Sequence, residues 1–355
     1  MRRFAIVVSN ITPGGGLTKY VCNLARFLTD DSQSEVSVIT THKSEYNPEI
    51  HRLKEERGLV HYDLSEKMKV MKYLALISLL RRLNPDIIIN NYNAVLQYVL
   101  PFVKSSTKTV HILHNATSDF YRVGGINASR VTGWIAPTPA LKYEFDAYMR
   151  GRVSDKITVI PHGVEAGLVA QRYGNKIAEI VYVGVLYEHK GAHILPDIIR
   201  NLETRNLDFH FSIIGEGELR RVMEHRLKKE IEDGTVEFTG RIAFEEVYKR
   251  LASADIFVYP THLDAFGLVI AEAMINGAVP VVTCLENITD TIVTNDVTGY
   301  LVEQDDIESF SERIETLVLN PDHRMDMSEA AKKEAQTKFS IHVMKDNYQK
   351  YFSKL

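Results

Sequence analysis

Short apolar runs alternate with longer amphipathic stretches along this chain, and the alternation begins a second time near residue 180. Apolar runs separated by helix-length stretches are typical of a parallel β-sheet with crossover helices. We therefore predict an α/β chain with two successive doubly wound domains. The predicted strands are 3–8, 35–40, 59–62, 86–90, 109–113, 134–136 and 157–160 in the first series, then 180–183, 208–214, 236–239, 256–259 and 279–282 in the second.

The length also favours two domains, because a single core stops growing near ~250–300 residues and this chain has 355. We predict a first domain at 1–165, a second at 166–335, and a final helical segment at 336–355 that packs back on the first domain. The polar stretch 171–176 is interpreted as a linker. Ligands of open parallel sheets bind outside the carboxyl ends of the strands, so two such domains facing each other would form a cleft.

The distribution of charge indicates different partners for the two halves. Residues 1–165 hold 21 Lys+Arg and 15 Asp+Glu, whereas residues 166–355 hold 21 and 31. The overall charge of −4, with no zinc or RNP-type motif, argues against a nucleic-acid partner.

No apolar run approaches the ~20 residues of a membrane helix, and Cys22 and Cys284 are far apart without metal-ligand spacing. We expect a cytoplasmic protein.

Two features of the first half follow predicted strands. Gly14-Gly15-Gly16 lies between the first strand and a predicted helix, and three glycines let the backbone approach a ligand. A plain strand–helix turn is the alternative, which we consider weaker. His114 comes at the end of strand 109–113, where ligand sites form, so we favour a functional role for it. His111 lies inside that strand and is expected to be a core residue.

The segment 264–274 is the most informative part of the second half. Asp264 immediately precedes a predicted helix, and a helix N-terminus suits a diphosphate. Glu272 is a lone carboxylate in an apolar helix, where burial is costly without a partner such as a ribose hydroxyl. The alternative is a structural carboxylate paired with a basic residue. Lys190, beside Gly191, is placed to reach a phosphate, although a solvated surface lysine has the same pattern.

Asp264, followed by Phe266-Gly267 and then by Glu272, resembles the E-x7-E motif of the retaining GT-B glycosyltransferases of family 4. The resemblance covers almost the whole chain, because further segments follow the order of the family's motifs. They are Pro13-Gly14-Gly15-Gly16, His114-Asn115, Pro161-His162-Gly163-Val164-Glu165, Gly184 with Lys190-Gly191, Gly215-Glu216-Gly217, Phe238-Thr239-Gly240 and Thr298-Gly299-Tyr300-Leu301-Val302.

The resemblance implies a GT-B fold, with two Rossmann-like domains facing across a cleft. It implies retaining transfer of a hexosyl or N-acetylhexosaminyl group from a nucleotide-diphosphate sugar, a UDP-sugar being favoured, to a glycan or lipid-linked acceptor of cell-surface polysaccharide synthesis. No cofactor and no metal are expected, because the sequence has no D-x-D. The implied catalytic residues are His114, Lys190 and Asp264. The implied donor-binding residues are Gly15, Gly16, Gly184, Lys190, Gly240, Arg241, Asp264, Phe266, Gly267, Leu268 and Glu272.

Three positions depart from the family pattern. Val185 stands where the family usually has an arginine that contacts the donor diphosphate. Asp264 replaces the usual first glutamate, which shortens its reach by one methylene, and Asp290 stands near the position of another usual glutamate. These departures leave two alternatives open. One is a nucleotide-sugar 2-epimerase of the same fold, and the other is a non-catalytic partner that binds nucleotide sugars.

The segment 66–82, from Glu66 to Arg82, combines basic residues with apolar ones. Such a basic amphipathic segment suits peripheral contact with an anionic membrane, as in family members that act on lipid-linked acceptors. The alternative, which we favour from the sequence alone, is a helix packed on the sheet with a solvated basic edge.

Overall fold

The computed structural model describes residues 2–12, 16–30, 33–165 and 177–355. The chain divides into two compact units, of which the first comprises the chain up to Gly163 together with Met344–Leu355, and the second is Val164–Val343. Each unit contains one parallel sheet with crossover helices. The predicted fold class of two Rossmann-like doubly wound domains is thus confirmed. The stretch predicted as a linker, 171–176, lies outside the described residues.

The first unit has a sheet of seven strands within its described residues, in the order β3-β2-β1-β4-β5-β6-β7. The strands are β1 (Arg2–Val8), β2 (Ser34–Thr40), β3 (Val60–Asp63), β4 (Ile87–Asn91), β5 (Lys108–Ile112), β6 (Gly133–Ala136) and β7 (Ile157–Val159). The helices that connect them are α1 (Gly16–Thr29), α2 (Pro48–Arg57), α3 (Lys69–Leu83), α4 (Ala94–Val99), α5 (Ser118–Gly125) and α6 (Pro139–Tyr148).

Strands β1 and β4 form the centre of this sheet. In β1, Phe4 is in register with Val36 on one side and with Ile87 on the other. Every residue of β4 is buried, as expected for a parallel strand with helices on both faces. The strand order reverses between β1 and β4, so their carboxyl ends border the point where ligands of doubly wound sheets bind.

The second unit has a six-stranded parallel sheet among its described residues, in the order β10-β9-β8-β11-β12-β13. The strands are β8 (Ala178–Val183), β9 (Phe209–Ile214), β10 (Val236–Gly240), β11 (Ile256–Tyr259), β12 (Val279–Thr283) and β13 (Tyr300–Val302). The helices are α7 (Leu195–Thr204), α8 (Arg220–Arg226), α9 (Lys228–Glu232), α10 (Phe244–Ser253), α11 (Leu268–Ile275), α12 (Ile307–Leu319) and α13 (Pro321–Phe339).

The final helix, α14 (Ile341–Phe352), contributes to the core of the first unit. Its buried residues Met344, Tyr348 and Phe352 lie in the same apolar cluster as Phe4 and Phe27. The ring centroids of Phe352 and Phe4 are 5.4 Å apart, and those of Tyr348 and Phe27 are 5.6 Å apart. The end of the chain therefore fills space that the preceding elements of this unit leave beside β1 and α1.

Two local details differ from the sequence prediction. Strand β13 was not among the predicted strands. The final segment predicted to be helical, 336–355, is interrupted at Ser340, whose neighbours Phe339 and Ile341 exchange backbone hydrogen bonds with Val164. In the second unit, α8 and α9 are separated at Leu227, which is buried and lies outside the helical region at φ −103° and ψ 23°.

A membrane-spanning segment requires a long apolar helix, and within the described ranges no helix meets both requirements.

Phe352→Ala is expected to lower the free energy of unfolding of the first unit by ~3–5 kcal/mol, because it removes buried apolar surface and leaves a cavity. The single tryptophan of the sequence, Trp134, is buried in β6 of the same unit, so its fluorescence during urea unfolding measures this loss. Leu319→Ala is the control, since Leu319 is 61% exposed. Equal losses in the two variants would contradict the packing of α14.

Candidate functional site

Glycines bring three strand ends of the second unit close together. The N–H of Gly184, after β8, donates to the carbonyl of Ile214, and the N–H of Gly215, after β9, donates to the carbonyl of Gly240 at the end of β10. A Cβ on Gly215, which has φ +146°, would lie 1.8 Å from the carbonyl oxygen of Gly184. Only a residue without a side chain fits there, so the loops after β8 and β9 approach each other backbone to backbone at this point.

Lys190 and Asp264 form an ion pair at the same edge. The Nζ of Lys190 donates to Oδ2 of Asp264 at 2.8 Å and to the carbonyl oxygen of Leu263 at 2.9 Å. The side chains are only 18% and 17% exposed. The same Oδ2 accepts a hydrogen bond of 2.9 Å from the hydroxyl of Tyr259, the last residue of β11. Asp264 thereby joins the loop after β8 to the end of β11.

The other carboxylate oxygen of Asp264 caps the start of α11. Oδ1 accepts hydrogen bonds from the three backbone N–H groups of residues 265–267, at 2.8, 3.3 and 3.0 Å. Gly267 has φ +85°, which allows the chain to turn into the helix. Beyond it, the N–H groups of Leu268 and Val269 begin the helix and have no acceptor within it. An anion at this terminus would meet these two groups and the Lys190 ammonium.

The electrostatic environment keeps Asp264 ionised. Burial by itself raises its pKa, but the Lys190 ammonium and the hydrogen bonds from Lys190, Tyr259 and the backbone outweigh burial, so the pKa of Asp264 is lowered. The pKa of Tyr259 is raised well above its ordinary value by burial and by the neighbouring Asp264 carboxylate. Tyr259 is therefore a neutral hydrogen-bond donor at neutral pH. The Lys190–Asp264 pair beside it carries one positive and one negative charge.

Glu272 lies on α11 and is buried, as its place in an apolar helix predicted. The hydroxyl of Tyr248, on α10, donates to Oε1 of Glu272 at 2.9 Å. A tyrosine hydroxyl satisfies a carboxylate oxygen without neutralising its charge.

The structure places Val185 in the loop after β8, with its side chain 45% exposed. Its carbonyl oxygen accepts a hydrogen bond of 3.0 Å from the Tyr182 hydroxyl. Arg220, which was not predicted, lies beside Gly240, where a Cβ would be 2.9 Å from its Nη1. Its guanidinium is paired with two carboxylates, since Nε donates to Glu224 at 2.7 Å and Nη1 donates to Glu216. The only sequence signal for Arg220 is its position shortly after Gly215-Glu216-Gly217.

Other predicted donor-binding residues have different surroundings. Phe266 is buried and packs edge-on against Phe339, with ring centroids 5.8 Å apart, so its ring belongs to the core. Arg241 is exposed directly after β10, and Gly16 begins α1 in the first unit. Gly15 lies outside the described residues.

In the first unit, His114 lies at the carboxyl end of β5 among polar aromatic side chains. Its Nε2 is 3.1 Å from Oδ1 of Asn91, the last residue of β4. The Tyr20 ring packs against it edge-on, with centroids 4.9 Å apart, and the His162 ring centroid lies 5.7 Å away. Asn91 and Tyr20 were not predicted, because nothing in their local sequence distinguishes them from core residues.

Burial lowers the pKa of His114 well below its usual range, and the neighbouring His162 and His111 lower it further. Because Nε2 faces the amide oxygen of Asn91, the favoured tautomer carries its proton on Nε2 and leaves Nδ1 as an acceptor. His111 is a core residue, as expected: burial lowers its pKa to about 3, and its Nδ1 lies 3.0 Å from the side-chain amide of Gln97.

Comparison with known families gives two matches that together extend over most of the chain. Residues 14–167 match the model of Glycosyltransferase Family 4, and residues 171–334 match that of Glycosyl transferases group 1. Among curated proteins, an uncharacterized glycosyltransferase of Methanocaldococcus jannaschii is 26% identical over 92% of this chain and 91% of its own length. The capsular polysaccharide biosynthesis glycosyltransferase CapM of Staphylococcus aureus is 26% identical over 54% of this chain and 53% of its own length.

Solved structures show the same fold at low sequence identity. Anabaena HepE, crystallised with UDP and glucose, superposes with a TM-score of 0.81 and 16% identity over 100% of both chains. A mutant of S. aureus TarM, in complex with fondaparinux, alpha-GlcNAc-glycerol and UDP, superposes with a TM-score of 0.81 and 13% identity over 99% of this chain and 100% of that one. Identities this low establish the fold alone and do not identify the ligands of this chain.

Asp264→Asn is expected to destabilise the fold at pH 7 by ~1–3 kcal/mol, because it leaves the half-buried Lys190 without its counter-charge. A carboxylate with a lowered pKa stabilises the folded state above its ordinary pKa of 3.8, and this contribution disappears as the pH falls through the lowered value. The difference between wild type and variant should therefore shrink on acidification.

Calorimetric melting temperatures of both proteins in pH steps from 7 downward measure this difference. Asp322→Asn, an exposed aspartate in the first turn of α13, is the control. A difference that does not change with pH would show that Asp264 does not owe its role to its charge.

Proposed function

Because this chain is a glycosyltransferase of GT-B type, with a family 4 domain followed by a group 1 domain, we propose that it transfers a sugar with retention from a nucleotide-diphosphate sugar to a hydroxyl. The proposed donor is a UDP-sugar with a hexosyl or N-acetylhexosaminyl group, bound by the second unit. The proposed acceptor is a glycan or lipid-linked saccharide of polysaccharide synthesis, bound by the first unit.

The observation that carries this proposal is the Lys190–Asp264 ion pair at the start of α11. The same helix bears the buried carboxylate of Glu272. A helix N-terminus and a fixed ammonium suit a diphosphate. The Glu272 carboxylate suits the vicinal hydroxyls of a ribose, which donate hydrogen bonds to it. UDP as the nucleotide is supported by HepE and TarM, whose crystals contain UDP.

In the proposed reaction, the bond between the anomeric carbon and the diphosphate oxygen breaks, and the acceptor oxygen bonds to the same face of that carbon. The acceptor proton passes to the departing phosphate oxygen. Negative charge grows on the diphosphate in the transition state, so a cation already held in place stabilises it without reorganisation. Lys190 fits this role because Asp264 and the Leu263 carbonyl fix its position. No step requires a metal ion.

Asp264 itself has little hydrogen-bonding capacity left for a sugar hydroxyl. Its two oxygens accept five hydrogen bonds, from three backbone N–H groups, Lys190 and Tyr259. A sugar hydroxyl that reached the carboxylate would have to share one of its lone pairs. We therefore assign Asp264 mainly the positioning of Lys190 and of the α11 N-terminus.

His114 suits the orientation of an acceptor or sugar hydroxyl in the proposal. A neutral imidazole held by Asn91 through Nε2 presents Nδ1 as an acceptor. Because its pKa is strongly lowered, the ring stays neutral at neutral pH.

A basic, apolar surface on the first unit supports peripheral contact with an anionic membrane. Met68 and Val70 are 77% and 71% exposed, and Met71 and Leu74 are also exposed, whereas the later turns of α3 bury Leu76, Leu79 and Leu80. Lys67 and Lys69 are exposed among the apolar side chains. Apolar side chains flanked by lysines insert at a lipid headgroup boundary, so we extend the proposal to a lipid-linked acceptor.

Lys190→Ala is expected to lower kcat/KM by ~10²–10³, because it removes one preorganised group that stabilises the leaving diphosphate. The donor is first found by a thermal-shift screen of UDP-, GDP-, ADP- and dTDP-sugars, since a ligand that binds the folded state raises its melting temperature. Lys249→Ala is the matched control, as Lys249 is 64% exposed.

The converse variant, Val185→Arg, restores the cation usual in the family and should tighten donor binding or speed transfer. Nearly unchanged kcat/KM in folded Lys190→Ala would refute the placement of the phosphate site. NMR of the product separates the alternatives: an isomerised donor without glycosylated acceptor indicates an epimerase, and donor binding without turnover indicates a non-catalytic partner.

Vesicle binding tests the membrane surface. The double variant Lys67→Gln and Lys69→Gln should reduce partitioning onto phosphatidylglycerol vesicles about 30-fold, at ~1 kcal/mol for each lysine. The control pair is Lys228→Gln and Lys229→Gln, whose lysines are 75% and 78% exposed on the second unit. Equal co-sedimentation of the two double variants would contradict a specific electrostatic contact. So would wild-type protein that co-sediments with neutral phosphatidylcholine vesicles as well as with phosphatidylglycerol vesicles.

A further inference from the structure

Two histidines and an aspartate converge in the second unit, near but separate from the Lys190–Asp264 pair. His193 lies in the short helical turn Ala192–Ile194 after the β8 loop, His262 follows β11, and Asp305 lies between β13 and α12. The Nε2 of His262 is 2.7 Å from Oδ1 of Asp305, and the Nε2 of His193 is 3.6 Å from the same oxygen. One ligand atom from each side chain lies within 4.8 Å of the other two.

The geometry points to a binding site for one divalent transition-metal ion at His193, His262 and Asp305. Zinc–nitrogen and zinc–oxygen bonds measure about 2.0–2.2 Å, so the ligand atoms of a tetrahedral ion lie about 3.3–3.5 Å apart. The two spacings to the Asp305 oxygen, 2.7 and 3.6 Å, bracket this value. Two imidazoles and a carboxylate suit Zn²⁺, Co²⁺ or Ni²⁺, whereas Mg²⁺ and Ca²⁺ prefer oxygen ligands alone.

An ordinary His–Asp hydrogen bond explains only part of this cluster. His262 and Asp305 satisfy each other at 2.7 Å. His193 does not share in that bond, because the 3.6 Å between its Nε2 and the Asp305 oxygen is too long for a hydrogen bond. The two imidazole rings lie at 87° to each other with centroids 5.1 Å apart. A metal ion bound by Nε2 of both histidines and by the Asp305 carboxylate would include His193 in the cluster.

The site is open to an ion from solvent. The side chains of Asp305 and His193 are 46% and 32% exposed, and that of His262 is 20% exposed. Three protein ligands leave the fourth tetrahedral position to water.

The position of the cluster indicates what an ion would do there. The backbone N–H groups of His262 and Leu263 already donate to the carbonyl of His189, at 3.0 and 3.2 Å, so the loops that carry Lys190 and Asp264 are joined at one point. A metal ion would join them at a second point and add the loop after β13. Its effect is therefore structural, and no step of the proposed transfer uses it, so the two proposals fail independently.

Cobalt titration of metal-free, tag-free full-length protein tests the site. Co²⁺ is expected to bind one per chain and to develop the visible absorption bands of a tetrahedral ion, Zn²⁺ is expected to abolish them, and excess Mg²⁺ to leave them unchanged. Zn²⁺ should also raise the melting temperature, because it binds only the folded site. An absence of stoichiometric binding, or equal displacement by Mg²⁺, would overturn the proposal.

Ligand variants locate the ion. His193→Gln and Asp305→Asn are expected to weaken Co²⁺ binding by at least ~100-fold, beyond the 10–100-fold cost of altering a residue that only supports a ligand. His225→Gln, an exposed histidine at the end of α8, should bind like wild type. Wild-type affinity in both ligand variants, with their folds verified by circular dichroism, would refute the assignment.

Chelation separates this site from the transfer reaction. EDTA is expected to lower the melting temperature of zinc-loaded wild type to that of His193→Gln, while transfer activity continues. A chelator that stops transfer without changing the melting temperature would contradict a structural ion at this cluster.

Discussion

The ion pair between Lys190 and Asp264 is the interaction on which the candidate site of the second unit depends. One carboxylate, from its two oxygens, holds the ammonium of the loop after β8, the hydroxyl at the end of β11 and three N–H groups at the start of α11. With side chains 18% and 17% exposed, the pair is only weakly screened by solvent. It therefore fixes a positive charge beside a helix N-terminus, the arrangement that a diphosphate requires.

The parallel sheet determines where this arrangement can form. All strands of each unit end at one edge, where connecting loops supply side chains. At Gly215 the loops after β8 and β9 approach so closely that a Cβ would collide with the carbonyl oxygen of Gly184, and at Gly184 and Gly240 a Cβ would crowd the side chains of Tyr182, Glu216 and Arg220. The first unit uses the same principle with different chemistry, since Asn91 and His114 come from the ends of two adjacent strands, β4 and β5.

Most of the fold could be predicted from the sequence, because each strand of a buried parallel sheet is a local apolar run. Strand β13 was not predicted. The break at Ser340 was not predicted because it depends on pairing with the distant Val164. Lys190, Asp264 and Glu272 could be singled out by their local sequence. The side-chain contacts of these residues could not be predicted, since Asp264 and Lys190 are 74 positions apart in the sequence and Tyr248 and Glu272 are 24 apart. Only the tertiary fold brings such residues together.

The central claim is that the donor diphosphate binds at Lys190 and the α11 N-terminus. The most direct measurement is a crystal structure of this chain with UDP or the nucleoside diphosphate that stabilises it most. We expect a phosphate oxygen at about 2.7–2.9 Å from the Lys190 Nζ, the distance of a charge-assisted hydrogen bond, with the ribose hydroxyls on Glu272. A diphosphate bound elsewhere, with Lys190 in contact only with Asp264 and Leu263, would contradict it.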